Sequence, residues 1–279
     1  MRGSFELWWV WGEGMEPWLD LDQVKRALEQ GTGEGISIAV LDSGVETSHP
    51  MLRPLELRDD IAIADDGVKL TVEAGNGTDV FGHGTAVAGI IRQLAPKANL
   101  GSIRVLGSNN STRTVAIQLG AQEALDRGYQ VLNCSFGCAL EAQVLKYKLW
   151  VDEAYLRGVH VVAACNNDDF RTQEWPAYFS SVISVNMAQT ESDSLFYYQR
   201  GTLVEFAAKG VDVSVSWSGG ATKLVTGSSF ATPRLSALIA RVLSVYPELS
   251  PLQVKALLQR LAEPWNQAVA AQNAMGAGT

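Results

Sequence analysis

The chain has little positive charge and no long apolar segment. Its 22 Lys and Arg residues are outnumbered by 30 Asp and Glu residues, which gives a formal net charge of -8 and a pI near 5.0. Such a surface does not attract the phosphates of nucleic acids or anionic lipids, so we expect neither as a partner. Because no apolar run approaches the roughly 20 residues of a membrane-spanning helix, we expect no membrane-spanning segment.

Cysteine is also scarce. Only Cys134, Cys138 and Cys165 occur, so a disulfide framework is not expected and a reducing compartment is favoured. Residues 1–20 contain one early Arg and scattered Trp, Glu and Gly in place of the continuous apolar core of a signal peptide. We therefore predict a cytoplasmic protein.

The length and the apolar content favour one large folded domain. A chain of 279 residues with 47% hydrophobic residues can bury a sizeable core. We predict a Trp-rich N-terminal extension over residues 1–16, a folded domain over 17–265 and a C-terminal tail over 266–279. Whether the tail is truncated, and the domain cut from a longer protein, stays open.

Helical and strand-like segments alternate along the chain. The strand-like runs are short, apolar and rich in β-branched residues, as in a sheet that is buried on both faces. They include "GISIAVLD", "ANLGSIRVL", "YQVLNCS", "VHVVAAC" and "SSVISVNMA". Helical patterns separate most of them, which predicts an α/β fold of three layers: a mostly parallel, doubly wound sheet with helices on both faces.

Polar residues follow the predicted strands at one edge of that sheet. The carboxyl ends of parallel strands share an edge, where loops run into helix N-termini and catalytic groups gather. The polar residues at such positions are Asp42 after "SIAVL", His83 in "GHGTAVAG", Ser135 after "VLNC", Asn166 after "VVAAC" and Ser229 in "GSSFATP". The sequence therefore predicts that they converge.

The chemistry of these residues fits acyl transfer. A serine hydroxyl becomes nucleophilic when a histidine within hydrogen-bond reach takes its proton, and that imidazole needs a carboxylate to fix its tautomer. Ser229, His83 and Asp42 would fill these roles. The N–H of Ser229, at a helix N-terminus, and the side chain of Asn166 are the candidate donors to the oxyanion.

These segments resemble those of the subtilisin-like serine proteases. The matches stand in the order of that family and extend from about residue 17 to residue 265: "VLDSGVETSHP", "GHGTAVAGII", "LNCSFG", "VVAACNN" and "GSSFATP". The resemblance implies a serine endopeptidase of the intracellular type, without a long prodomain, that acts on peptides or proteins without a cofactor. It also implies that Ser229, the third residue of a Gly-Ser/Thr-Ser triplet, is the nucleophile in preference to Ser228.

The resemblance further implies where substrate binds. Ser135, Phe136 and Gly137 would pair with the substrate main chain as a strand edge, although an ordinary strand-to-loop turn is the alternative. Asn110, in the loop "GSNNST", would lie on the opposite edge of the cleft. Cys165 stands where the family has glycine before its oxyanion asparagine, so Asn167 stays open as an alternative donor to Asn166.

Three further expectations come from the resemblance. Many members of the family bind calcium in a loop inserted into the helix after the catalytic histidine, and "GIIRQLAPKANL" leaves no room for it, so we expect no metal there. The Trp175–Pro176 bond is expected to be cis. Pro233 is expected in the first turn of the helix that begins near Ser229.

Substrate preference and role are less constrained. Asp168, Asp169 and Glu174 lie in the segment that, in the family, borders the pocket for the residue before the scissile bond. A preference for basic residues there is one hypothesis; that these are solvated loop carboxylates without such a role is the favoured alternative.

Three alternatives to a general endopeptidase stay open: a peptide ligase or macrocyclase, a maturation peptidase with a dedicated protein partner or further domain, and a catalytically silent binding module.

Overall fold

A ten-stranded sheet runs through the middle of the molecule. The structure is a computed structural model that describes residues 19–53 and 55–265. The strands of this sheet are β1 Ser37–Asp42, β2 Asp60–Asp65, β3 Leu70–Ala74, β4 Asn99–Arg104, β5 Val131–Cys134, β6 His160–Ala164, β7 Ile183–Ala188, β8 Phe196–Tyr198, β9 Phe206–Lys209 and β12 Glu263–Pro264. Their order is β12-β8-β9-β7-β6-β5-β1-β4-β2-β3, and β10 Val213–Trp217 pairs with β11 Ala221–Val225 in a separate hairpin.

Most neighbouring strands are parallel. The pairs β1/β4, β1/β5, β5/β6, β6/β7, β7/β9 and β2/β4 all run in the same direction. Antiparallel pairing is found toward the sides, between β2 and β3 and between β8 and β9. The mostly parallel, doubly wound α/β architecture predicted from the alternating segments is therefore confirmed.

Helices cover both faces of the sheet. They are α1 Leu21–Gln30, α2 His83–Leu94, α3 Thr114–Asp126, α4 Val144–Leu156, α5 Ser228–Leu243 and α6 Pro251–Leu261. One core contains buried residues of α1, α2, α5 and α6, and the other contains buried residues of α3 and α4. The alternating side chains of β1 divide between them, with Ile38 and Val40 in the first core and Ala39 and Leu41 in the second. Every residue of β1 is buried.

The structure adds strands that the sequence did not predict. The hairpin of β2 and β3 was not predicted, because these strands carry Asp, Ala, Thr and Glu and have shorter apolar runs than the others. The short strands β8 and β12 were also missed. Within the described ranges, no helix combines the length and the apolar character needed to cross a bilayer. The predicted extension over 1–16 and the tail over 266–279 lie outside the described residues.

Candidate active site

Asp42 and His83 form a buried pair at the carboxyl edge of the sheet. Asp42 is the last residue of β1 and fully buried, and His83 is the first residue of α2. Both carboxylate oxygens of Asp42 lie 2.9 Å from Nδ1 of His83. This contact fixes the tautomer that carries the proton on Nδ1 and leaves Nε2 as a base.

A second carboxylate, Asp79, organises the N-terminus of α2. Its Oδ1 accepts hydrogen bonds from the N–H groups of Phe81 (3.0 Å) and Gly82 (2.7 Å) and from the hydroxyl of Ser43 (2.7 Å). Its Oδ2 accepts from the N–H (2.8 Å) and the hydroxyl (2.7 Å) of Thr85. Asp79 therefore satisfies donors of the first helical turn that have no intrahelical acceptor. Our sequence analysis missed this residue, four positions before His83 in "DVFGH".

Burial and charge act in opposite directions on His83. Burial lowers the pKa of its imidazole, while the charge of Asp42, the hydrogen bond to Asp42 and the charge of Asp79 raise it. The charges and the hydrogen bond prevail, so the pKa of His83 is raised above its ordinary value. The site therefore favours proton uptake by His83.

Ser228 and Ser229 differ in accessibility at the start of α5. Ser228 is fully buried, and its hydroxyl is bonded to the carbonyl of Cys165 (2.7 Å) and to Oδ1 of Asn167 (2.9 Å). Ser229 is partly exposed. The ring of Phe230, the next residue, lies 5.3 Å from the imidazole of His83, measured between ring centroids. Only Ser229 of the two thus has a hydroxyl that a substrate could approach.

Ser229 is also bonded to the end of β5. Its hydroxyl donates to the carbonyl of Ser135 (3.1 Å), and its carbonyl accepts from the hydroxyl of Ser135 (2.9 Å). Pro233 explains the second bond. It is the sixth residue of α5, so the expectation that it lies in the first turn was wrong. Because proline has no N–H, it cannot bond the carbonyl four residues earlier, and the carbonyl of Ser229 is left for Ser135.

The two adjacent asparagines after β6 face different partners. Oδ1 of Asn166 accepts from the N–H groups of Asp168 and Asp169, both at 2.9 Å, and its amide donates to Oε1 of Glu174, also at 2.9 Å. Oδ1 of Asn167 accepts from the N–H of Ser228 at 2.8 Å. The amide of Asn166 keeps one N–H beyond the bond to Glu174, while Asn167 is tied to the residue before Ser229.

The chain is similar to known proteins over most of its length. The sequence model of the subtilase family (Peptidase_S8) matches residues 33–278. The chain belongs to the subtilase family. It is 31% identical over 243 residues to subtilisin DY of Bacillus licheniformis, covering 82% of this chain and 84% of that protein. It is 30% identical over 257 residues to subtilisin Savinase of Lederbergia lenta, covering 88% and 91% respectively.

Solved structures of the same class resemble this subtilase. A cold adapted subtilisin-like serine proteinase superposes with a TM-score of 0.68 at 27% identity, covering 83% of each chain. Sphericase superposes with a TM-score of 0.69 at 26% identity, covering 85% of this chain and 88% of its own. The protein is thus a subtilisin-like serine endopeptidase, and its substrates are peptides or proteins.

The segment expected to bind substrate lies beside Ser229 in this subtilase. Ser135 is buried, Phe136 is half-buried and packs against the core that contains α3 and α4, and Gly137 is exposed. The next residue, Cys138, is held by Trp175 through two backbone hydrogen bonds of 3.0 Å, and the Trp175–Pro176 bond is cis, as expected. The structure thus fixes the start of this segment on Ser229 and its end on Trp175.

Asn110 lies in the loop that follows β4. The N–H groups of Val105 and Leu106, at the start of this loop, donate to the carbonyl of Asp42 at 2.9 and 3.1 Å. Asn110 itself is exposed, has a positive φ of 56° and donates its N–H to the carbonyl of Gly107. The loop begins at the main-chain carbonyl of Asp42, and contact between Asn110 and substrate stays a prediction.

The other two histidines and the three cysteines have no part in the predicted acyl transfer. Both ring nitrogens of His49 are bonded to the backbone, Nε2 to the carbonyl of Ala221 (2.9 Å) and Nδ1 to the N–H of Met51 (3.2 Å). All three cysteines are free thiols. Burial, followed by the charge of Glu174, raises the pKa of the Cys165 thiol, which favours its unreactive protonated form.

Within the described residues, no group of three or more His, Cys, Asp or Glu side chains is placed to hold a metal ion.

Proposed function

We propose that Ser229 is the nucleophile of this endopeptidase, that His83 is its general base and acid, and that Asp42 orients His83. The observation that carries the proposal is the contact of both Asp42 oxygens with Nδ1 of His83, at 2.9 Å, in a fully buried position. A neutral imidazole held in this way presents Nε2 for proton transfer. The accessible Ser229 hydroxyl, one residue from a ring that contacts His83, is the matching proton donor.

The reaction proceeds through an acyl-enzyme. Oγ of Ser229 attacks the scissile carbonyl carbon while its proton passes to Nε2 of His83. The carbon–nitrogen bond then breaks, and the leaving amine takes that proton. Water attacks the ester, gives its proton to His83, and the acid product leaves as the proton returns to Ser229. No cofactor is consumed in these steps.

The developing oxyanion needs donors that are already in place. The N–H of Ser229 lies in the first turn of α5, whose N–H groups lack intrahelical acceptors, and the helix dipole favours negative charge there. We propose the amide of Asn166 as the second donor, through the N–H that does not bond Glu174. The bond between Asn167 and Ser228 makes Asn167 the second candidate.

Intact mass after treatment with a fluorophosphonate tests the nucleophile. We expect one adduct on the wild type and on Ser228→Ala, and none on Ser229→Ala, because the buried Ser228 hydroxyl cannot reach the probe. Circular dichroism would show that each variant is folded. An adduct that persists on Ser229→Ala, or absence of label on the folded wild type, would contradict the proposal.

Kinetics of two alanine variants would assign the oxyanion donor. Loss of a side-chain donor typically lowers kcat by about 10²–10³ with little change in KM. We expect this loss for Asn166→Ala and a smaller one for Asn167→Ala. The opposite ranking would assign the role to Asn167.

The fate of the acyl-enzyme separates hydrolysis from ligation. Resolution by water adds the mass of one water molecule across the two products, whereas attack by an internal amine gives a cyclic product without it. We propose hydrolysis, as in the subtilisins that the chain resembles, and product mass on one peptide tests it. The dedicated maturation role, the partner protein, the contribution of a further domain and the cytoplasmic location stay predictions.

A further inference from the structure

Glu174 lies against the segment that is expected to bind substrate. A Cβ built on Gly137 would lie 2.6 Å from Oε2 of Glu174 and 3.2 Å from its Cβ. The carboxylate therefore occupies the space that a side chain at position 137 would fill. Its other oxygen, Oε1, accepts from the amide of Asn166. Glu174 thus connects the end of β6 with the segment after β5, and both of these carry groups of the proposed site.

The charge of Glu174 has no cationic partner within the structure. Among residues 19–53 and 55–265, no Lys, Arg or His forms an ion pair with this carboxylate. Arg171, the cation of the same loop, lies over the ring of Phe170 at 5.4 Å. Asp169 adds negative charge on the same side, since it and Glu174 both act on the thiol of Cys165. A half-buried carboxylate without a counter-ion favours the approach of a cation.

The position of Glu174 relative to Ser229 defines which substrate residue it can meet. The hydroxyl of Ser229 contacts the carbonyl of Ser135, and Glu174 contacts the position of Gly137, two residues further. Two residues of extended chain span at most about 7 Å. The residue that supplies the scissile carbonyl lies at Ser229, so a long side chain directed along this segment reaches Glu174. Lys and Arg combine that length with positive charge.

We propose that Glu174 makes this enzyme select substrates with Lys or Arg on the amino side of the scissile bond. The proposal rests on the proposed function, because it takes Ser229 as the point of attack. The cationic head would pair with Oε2, which bonds no group of the described residues, while Oε1 stays with Asn166. An apolar side chain at the same place would leave Oε2 of Glu174 without water or a partner, which is unfavourable.

Peptides that differ only at this residue test the proposal. Arg, Lys, Gln and Phe would be compared by kcat/KM on the wild type and on Glu174→Gln, which removes the charge but keeps an oxygen to accept from Asn166. We expect the wild type to prefer Arg or Lys over Gln by about tenfold or more, and Glu174→Gln to lose most of this preference. Asp168→Asn removes an exposed charge of the same loop and is the matched control; its preference should remain.

Binding to an inactive form separates this proposal from the catalytic one. Calorimetry with the same peptides on Ser229→Ala and on Ser229→Ala/Glu174→Gln reports the charge contact without turnover. If the wild type does not label with a fluorophosphonate but Ser229→Ala binds the Arg peptide more tightly than Ser229→Ala/Glu174→Gln does, the catalytic proposal is wrong while the charge contact with Glu174 stands.

Three results would overturn the specificity proposal. The first is a wild type that cleaves the Phe peptide better than the Arg and Lys peptides. The second is an equal loss on all peptides in Glu174→Gln, which would show that Glu174 only supports Asn166. The third is binding of Arg and Gln peptides with equal affinity to Ser229→Ala.

Discussion

Ser135 and Ser229 exchange hydrogen bonds, each hydroxyl donating to the main-chain carbonyl of the other, at 2.9 Å from Ser135 and 3.1 Å from Ser229. The proposed nucleophile is therefore held by the same segment that is expected to bind substrate. The hydroxyl of Ser135 also accepts from the amide of Asn133 at 3.0 Å, within the buried end of β5. The side chain of Ser135 thus connects the proposed nucleophile to the buried end of β5.

Ser135→Ala should destabilise the fold by about 1–3 kcal/mol, because it leaves the carbonyl of Ser229 without a donor. Pro233→Ala restores an N–H four residues after Ser229. We therefore expect Ser135→Ala to cost less in the Pro233→Ala background, with a coupling of about 0.5 kcal/mol or more. Urea unfolding of the wild type, the two single variants and the double variant measures this coupling. Strictly additive losses of stability would contradict the role given to Pro233.

Asp79→Asn should move the acid limb of the kcat/KM profile to lower pH. The charge of Asp79 is one of the causes that raise the pKa of His83, and the base must be neutral to act. Removing that charge lowers the pKa of His83, so the neutral form persists to lower pH. Asp22→Asn, an exposed carboxylate of α1, is the control and should leave the limb in place. A limb that is unmoved or shifted upward in Asp79→Asn would refute this electrostatic role.

His160 should make the fold sensitive to acid. Burial lowers its pKa to about 4, although a hydrogen bond with the carbonyl of Gln130 opposes this. The unfolded chain takes up a proton on His160 below about pH 6.5, whereas the folded chain does so only near pH 4. The free energy of unfolding is therefore unaffected by His160 above pH 6.5 and falls by about 3 kcal/mol as the pH is lowered toward 4. In an inactive Ser229→Ala background, the free energy of unfolding of His160→Gln should fall less steeply between pH 6.5 and pH 4. An unchanged slope would contradict the role given to His160.

Arg241→Met should be strongly destabilising. The guanidinium of Arg241 donates to the carbonyl of Leu94, at the end of α2 (2.7 Å), and to that of Leu28, near the end of α1 (2.6 Å). It also donates to the carbonyl of Glu29 at 3.2 Å, so its loss leaves three carbonyls without this donor, which we expect to cost about 3 kcal/mol. Arg260→Met, at an exposed position of α6, should change the melting temperature little. Equal effects of the two substitutions would disprove the capping role.

Treatment with a strong chelator should leave the melting temperature unchanged. Helix α2 ends at Leu94 and β4 begins at Asn99, so only residues 95–98 connect them, too few for the inserted calcium loop expected in many relatives. Differential scanning calorimetry with and without chelator measures this. A large fall that calcium reverses would show a metal site that we did not predict.

The central parallel strands were predictable because their burial on both faces demands continuous apolar residues, and the polar residues at their ends follow from that topology. The pairing of Asp42 with His83 depends on the same topology. The contacts of Asp79 and Glu174 were not predictable, because a carboxylate in a loop carries no periodic signal and its partners lie on other elements. Pro233 was misplaced because a helix that begins at Ser228 or Ser229 completes its first turn of 3.6 residues before position 233.

Strand β1 carries side chains into both hydrophobic cores and ends at Asp42. Loss of either helical layer would therefore remove the support on one side of the Asp42 carboxylate. A partly folded chain with only one core assembled would not orient His83 and would not cleave peptides. We therefore expect proteolytic activity to appear only when both helical layers have formed on the sheet.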